Sequence, residues 1–263
     1  MWTTQSPPKV SGGATSNDER DPWISDDQLR LYFALGTSSS HRLHVATRMS
    51  VLEDFGAASE LESISATGLT DDSRPALTSD ENTLVLSSNR GGLYDLYVAT
   101  RSNMMGSFSS QLTSLSVNSA RDSFDPFLSS DGQWLYFAPA DAAGDQHLMV
   151  APRTADSVDY DGAVPAGVEP RTGVTDADPA LSKDERILMF SSNRPAGTGN
   201  RRLWYAVRAD PSQPFATAVQ IPFIAGDSDD NDPVLSADGC TLYFASNRTG
   251  SQHYDLYMAQ LVQ

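Results

Sequence analysis

A chain of 263 residues, 39% apolar and 9% aromatic, has enough core-forming material for one domain and too much for a disordered tail. Its formal charge of −16, from 34 acidic against 18 basic residues, excludes nucleic acid and anionic membrane surfaces as partners, because both require Lys and Arg to neutralise phosphate. The single cysteine, Cys240, excludes an intramolecular disulfide framework and any multi-cysteine metal centre, and no run approaches the roughly 18 apolar residues of a spanning helix.

At the N-terminus, Met1 to Pro8 has neither a basic nor an apolar signal region and reads as no signal peptide. From Pro22 onward one phrase recurs five times, starting at Pro22, Pro75, Pro126, Pro179 and Pro233. Five residues after each proline stands an aspartate: Asp27, Asp80, Asp131, Asp184 or Asp238. Nine residues after it stands a leucine in every copy: Leu31, Leu84, Leu135, Leu188 and Leu242.

Each copy predicts three strands. A short apolar strand opens on the proline, where a missing N–H is tolerated, and a Ser/Thr-x-Asp-Gly turn then reverses the chain. A second strand such as "TLYFAS" follows, then a polar loop, then a third strand such as "YDLYMA". Both faces are apolar, which suits a sheet packed between two neighbouring sheets. An aromatic residue 18 to 20 positions before the next proline (Phe55, Phe108, Tyr160, Phe215) marks a fourth, outer strand. The last copy ends at Gln263 with no fourth strand, whereas Trp2 precedes Pro22 by the same offset. Residues 2–10 are therefore predicted to complete the last unit and close the ring. The predicted fold is all-β: a single five-bladed β-propeller domain over residues 1–263, monomeric, with a six-bladed ring containing one degenerate blade as the alternative.

The phrase "DPVLSADGCTLYFASNR…YDLY", fullest in the second, fourth and fifth copies, resembles the WD40-like PD40 repeat of the TolB-like β-propeller family. That resemblance implies the propeller fold over nearly the whole chain. It also implies partner-binding roles more than catalysis, although carbohydrate-active lyases share such repeats. Members similar to TolB usually have six blades. Relatives with these repeats are frequently exported, so a periplasmic or extracellular location is favoured over a cytoplasmic one.

The loops leading into the five inner strands concentrate the charge. They hold thirteen acids and three arginines, leaving −10 of the −16 on one rim of the ring. Three answers to such a ring are available. Arg90, Arg194 and Arg248, each in a Ser-Asn-Arg loop, could pair with aspartates of a neighbouring blade. Calcium is a second answer, with Asp229, Asp230 and Asp176 as candidate ligands, although the Asp227–Asp238 run lacks the glycine of a helix–loop–helix calcium loop. The third is a cationic peptide or partner patch. Candidate ligand-binding residues are the Asp-Pro aspartates Asp21, Asp125, Asp178 and Asp232, together with Ser39, Asp141 and Asp145 in the two loops that break the Ser-Asn-Arg pattern. Ser38 and Ser40 flank Ser39, and His41 with His253 and Asp255 forms a further metal candidate.

No nucleophile elbow or phosphate-binding glycine loop occurs. The leading expectation is accordingly a non-catalytic binding or scaffold propeller that presents an acidic rim to a protein, peptide or glycan ligand. The alternative is a carbohydrate-active enzyme, a glycoside hydrolase or polysaccharide lyase, that uses the same carboxylates.

Overall fold

In the computed structural model the described residues are 2–3, 17–37, 39–65, 68, 70–169, 171–195, 199–222, 228–248 and 253–261. Twenty strands form five four-stranded antiparallel sheets. Strand β1 (Trp2–Thr3) stands apart in sequence from the sheet it joins. Blade 1 is β2 (Asp18–Ile24), β3 (Arg30–Thr37), β4 (Ser40–Thr47) and β5 (Ser59–Glu60). Blade 2 is β6 (Asp72–Leu77), β7 (Thr83–Ser88), β8 (Asp95–Thr100) and β9 (Thr113–Ser114). Blade 3 is β10 (Ser123–Leu128), β11 (Trp134–Pro139), β12 (Met149–Pro152) and β13 (Val164–Pro165). Blade 4 is β14 (Asp176–Leu181), β15 (Ile187–Ser192), β16 (Arg202–Val207) and β17 (Val219–Gln220). Blade 5 is β18 (Asp230–Leu235), β19 (Thr241–Ser246) and β20 (Asp255–Leu261), completed by β1, whose Trp2 pairs with Leu261 and Thr3 with Gln260. The fold is a five-bladed β-propeller. Of the closing segment predicted over residues 2–10, residues 4–10 lie outside the described residues.

The core is a set of five apolar wedges between adjacent blades. Leu31 and Phe33 of blade 1 pack on Tyr243 and Leu256 of blade 5, while Tyr32 and Leu43 pack on Leu84 and Leu86 of blade 2. Every sheet thus buries both faces, which is why the strand sequences alternate weakly. Each inner strand also carries a bulge at its Asp-Pro step: pairing shifts between Arg20 and Trp23, Ser73 and Ala76, Phe124 and Phe127, Ala177 and Ala180, and Asn231 and Val234. The residue before each proline sits at φ between 54° and 58°, a left-handed conformation that aspartate tolerates better than most side chains. The proline follows where no ladder N–H is required.

The hairpin turns are built as predicted from Ser/Thr-x-Asp. Ser25 Oγ donates to Asp27 at 2.6 Å, and Thr78, Ser129, Ser182 and Ser236 repeat the bond to Asp80, Asp131, Asp184 and Asp238. The spaced aromatics differ from expectation. Phe55 and Phe108 lie just before their outer strands, buried, because arginines from the end of the third strand stack on them: Arg48 on Phe55 at 4.3 Å, Arg101 on Phe108 at 4.4 Å, and likewise Arg208 on Phe215 at 4.4 Å. Those arginines also donate to turn carbonyls of the same blade, at Gln28, Glu81 and Glu185.

Candidate functional site

The acids ahead of each proline fall into three tiers, each with its own physical task. Four positions ahead, Asp71, Asp122, Asp229 and Asp18 accept the backbone N–H that opens the third strand of the preceding blade, from His41, Tyr94, Arg201 and Tyr254 at 2.6–2.9 Å. These bonds clasp blade to blade. Three positions ahead, the acids bind within their own blade. Asp72 accepts from Ser88 Oγ and Arg90, each at 2.6 Å; Asp230 accepts from Ser246 at 2.6 Å and Arg248 at 2.8 Å; Asp176 pairs with Arg194 at 2.5 Å. The Ser-Asn-Arg arginines therefore pair with aspartates of their own blade, while Arg90 and Arg194 also donate to the Ile64 and Glu169 carbonyls in the segments that lead in from the preceding blades. The asparagine explains the rest of that motif: Asn89, Asn193 and Asn247 each accept an N–H from the loop ahead of the inner strand, at Asp71, Thr175 and Asp229.

One position ahead lie Asp21, Arg74, Asp125, Asp178 and Asp232, which the five bulges bring together around the central channel with their prolines. The bulge conformation links them head to tail. Asp21 N–H donates to Asp232 at 3.2 Å, Arg74 N–H to Asp21 at 3.2 Å, Asp178 N–H to Asp125 at 3.3 Å and Asp232 N–H to Asp178 at 3.4 Å. The missing link falls at blade 2, where Arg74 has no carboxylate to offer; its guanidinium instead forms an ion pair with Asp125. The space they line is narrow and partly open, about 40 Å³, with room for a few water molecules. Below it, Trp23, Phe127 and Val234 separate this space from a second one at the opposite mouth, where Lys183 bridges to Asp26 at 2.7 Å.

Above the ring the five blades diverge. The residues that open the third strands are His41, Tyr94, Gln146, Arg201 and Tyr254, and each is placed by its backbone bonds to the next blade. Several reach the ring or its flanks. Gln146 Nε2 donates to Asp125 at 3.2 Å and Oε1 accepts from Arg201 at 3.0 Å; Arg201 stands 3.6 Å from Asp178. Arg20 lies over the Tyr254 ring at 3.7 Å, and Phe124 packs on Tyr94 at 4.9 Å. This wall is illegible in the repeat alignment because the preceding loop varies in length, so its members stand 19 to 22 residues after their prolines.

The ring carboxylates are shifted in opposite directions. Burial raises Asp125 to about 7, aided by the charge of Asp178 and outweighing Arg74 and Arg201. Burial likewise raises Asp232 well above the ordinary carboxylate range, aided by Asp178 and Asp21, and raises Asp21. Asp178 is buried too, but Arg201, the Ser191 hydroxyl and Arg74 together lower it below its usual value.

Several expectations about the site change. The acids do not present an open rim: of the twelve described members of the thirteen, nine are buried and three half-buried. Asp227 lies outside the described residues. The calcium candidates do not converge. Asp229 accepts from Tyr254 Oη and Arg201 N–H, whereas Asp230 and Asp176 are tied to arginines of different blades. Among the described residues no group of three or more His, Cys, Asp or Glu side chains could hold a metal ion. Asp141 and Asp145 belong to one loop turn, in which Asp141 accepts from Ala143 N–H at 2.7 Å and Asp145 N–H at 3.1 Å, away from the ring residues. Ser39 is an exposed turn residue, and Ser38 lies outside the described residues.

No family model matches the chain, and no curated protein matches it. Solved structures do. A thermostable family-43 glycoside hydrolase superposes with a TM-score of 0.70 at 15% identity, covering 98% of this chain and 93% of that one. An endo-arabinase from Bacteroides thetaiotaomicron VPI-5482 gives 0.63 at 16% identity, covering 99% and 98%. A putative TolB from Agrobacterium tumefaciens gives 0.56 at 17%, covering 93% of this chain and 77% of that one. The propeller is common to all, and the TolB-like family is not singled out. The expectation of a non-catalytic binding or scaffold propeller is corrected: the full-length neighbours are mostly glycoside hydrolases, and the acidic rim on which it rested is internal structure.

Proposed function

We propose that the chain is a carbohydrate-active enzyme, a glycoside hydrolase whose acid and base are channel aspartates. One observation carries the reading: at one narrow channel space, adjacent blades hold one carboxyl group raised to about 7 and another lowered below its ordinary value. Glycoside hydrolysis requires that division, a protonated acid for the departing oxygen and an ionised carboxylate for the opposite face. Asp125 is the acid, and Asp178 is the base or nucleophile. The glycan reaches the pair from the mouth above, which Tyr94, Phe124, Tyr254 and the polar wall residues line, and its scissile bond enters between the two carboxylates. The likeness to arabinan- and xylan-type hydrolases supports arabino- and xylo-oligosaccharides as the first substrates to try.

The test is release of reducing ends from a panel of neutral and acidic oligosaccharides. Asp178→Asn and Asp125→Asn, each confirmed as folded, are expected to lower kcat/KM by about 10²- to 10⁴-fold, the range of general acid–base contributions. Absence of hydrolysis across the panel, or hydrolysis that persists in both variants, removes the reading.

A further inference from the structure

The loop between the third and fourth strands recurs in four blades with one framework and two kinds of tip. In each, an arginine follows the third strand and an aromatic residue stands seven positions later: Arg48 and Phe55, Arg101 and Phe108, Arg153 and Tyr160, Arg208 and Phe215. In blades 1, 2 and 4 the turn between them is closed alike. Ser50 Oγ accepts the Leu52 N–H at 3.2 Å, Asn103 Oδ1 that of Met105 at 3.0 Å, and Asp210 Oδ1 that of Ser212 at 3.0 Å. The tip pair is Val51-Leu52 in blade 1 and Met104-Met105 in blade 2, but Pro211-Ser212 in blade 4, and blade 3 has Asp156-Ser157. The turn forms equally well with serine at its tip, so its hydrogen bonding does not call for an apolar side chain. Yet Leu52 is 93% exposed and Met105 91%. Of the ten large apolar side chains exposed among the described residues, five belong to these two loops of adjacent blades: Met49, Val51, Leu52, Met104 and Met105. Scattered exposed apolar residues are ordinary; a paired set on preformed turns marks a contact surface. The third strands begin at the channel mouth and run away from it, which puts both tips on the opposite face.

The surroundings of both tips are acidic. Met104 borders a groove of about 400 Å³ with Asp26, Asp27 and Asp80, while Val51 and Leu52 border one of about 330 Å³ with Asp238 and Met258. The cations of these grooves are committed. Arg30 pairs with Glu81 at 2.7 Å and Asp27 at 2.9 Å, Lys183 pairs with Asp26, and Arg48 stacks on Phe55 and donates to the Gln28 carbonyl. Asp80 and Asp238, by contrast, accept only from neutral groups: Thr78 and Asn82 for the first, Ser236, Cys240 and Gln28 for the second. Glu53 and Asp54 stand exposed beside Leu52. None of these four carboxylates pairs with a cation among the described residues. That balance selects the occupant. A second copy would bring the same carboxylates and the same charge of −16 against them, and an anionic lipid surface would be repelled.

We infer that this face docks a basic amphipathic segment of a partner protein. Its apolar side chains pack on Leu52 and Met105 with their neighbours, and its lysines or arginines face Asp80, Asp238, Glu53 and Asp54. Because the turns already hold the tips in the free protein, little ordering is needed on binding. No residue of the channel takes part, so the docking stands or falls apart from the glycosidase reading.

The probe is an amphipathic helical peptide of leucine and lysine, about 18 residues long. Its controls are a leucine–glutamate peptide of the same pattern and a serine–lysine peptide that keeps the charge and loses the apolar face. Binding to the wild-type protein is read by fluorescence anisotropy, and the contact is mapped by hydrogen exchange. The leucine–lysine peptide is expected to bind about tenfold or more tightly than either control and to protect residues 48–56 and 101–109. Leu52→Ser combined with Met105→Ser, which installs the residue that blade 4 has at the same position, is expected to weaken that binding about tenfold at unchanged Tm. Because the three peptides are compared on the unaltered protein, the result does not depend on the folding of the variant. Absence of binding, equal binding of the leucine–lysine and serine–lysine peptides, protection elsewhere, or binding that survives the double substitution overturns the inference. A concentration-dependent dimer in sedimentation that the same substitutions abolish would make a second copy the occupant, and overturns it equally.

Discussion

Arg74 occupies the ring position that is aspartate in the other four blades, and that one substitution gives the channel its asymmetry. A fifth carboxylate would add a like charge to a desolvated cluster; the guanidinium instead pairs with Asp125 and lowers both Asp125 and Asp21 against the upward push of burial. In the proposed mechanism, activity requires Asp125 to be protonated, so kcat/KM falls as pH rises through about 7. Removing the cation favours the protonated acid further. The basic limb of the pH profile is therefore expected to move to higher pH in Arg74→Met, measured as kcat/KM against pH; an unmoved limb would detach Arg74 from the acid. The five ring residues were legible in the sequence because the Asp-Pro step fixes their offset. Their opposite pKa shifts were not, since these depend on burial and on Arg201, which reaches the ring from a loop whose length varies between blades.

At the scale of the strand and turn, the repeat works because each of its polar letters closes one local hydrogen-bond account. Asp131 shows the unit: it accepts from Ser129 Oγ at 2.6 Å and from Gln133 N–H at 2.9 Å, and the following Gly132 takes φ 66°. Asp131→Ala should cost about 1–2 kcal/mol for the lost bonds, read as a lower denaturation midpoint at unchanged m. The turns and inner strands could be read directly, because Ser/Thr-x-Asp and Asp-Pro each prescribe a backbone conformation. The Ser-Asn-Arg loops were read correctly as arginine staples but assigned to the wrong partner. Sequence spacing cannot distinguish an acid sixteen residues upstream in the same blade, such as Asp72 for Ser88, from one in the next blade. The spaced aromatics stand four or five residues before the outer strands they mark, and three of them carry an arginine stack there, as in Arg48 on Phe55.

For the whole molecule, two features set stability against each other. Closure joins the chain ends, because β1 adds the outer strand to blade 5, and every blade contacts its neighbours through apolar wedges and aspartate clasps. One clasp acid, Asp71, and the turn acids Asp27, Asp80, Asp184 and Asp238 favour their ionised forms. Asp71 is buried, yet its bonds to His41 and Tyr94 hold it at about 2, so it stabilises the fold above its ordinary value of 3.8 and ceases to do so as pH falls from there toward 2. The ring has the opposite sign. Asp125 is raised to about 7, so the fold binds its proton more tightly than the unfolded chain does, and the stability that proton confers is lost as pH rises from the ordinary carboxylate range through about 7. The expected stability maximum therefore lies in mildly acidic solution, with Tm lower at pH 8.5 than at pH 5.5. Asp125→Asn, which keeps the shape and removes the titrating proton, should reduce that difference, with the raised Asp232 and Asp21 carrying the remainder, while leaving the loss below pH 4 in place. A melting series in which the variant and the parent decline alike above pH 6 would show that Asp125 does not set the alkaline limb, and would leave Asp232 and Asp21 to account for it.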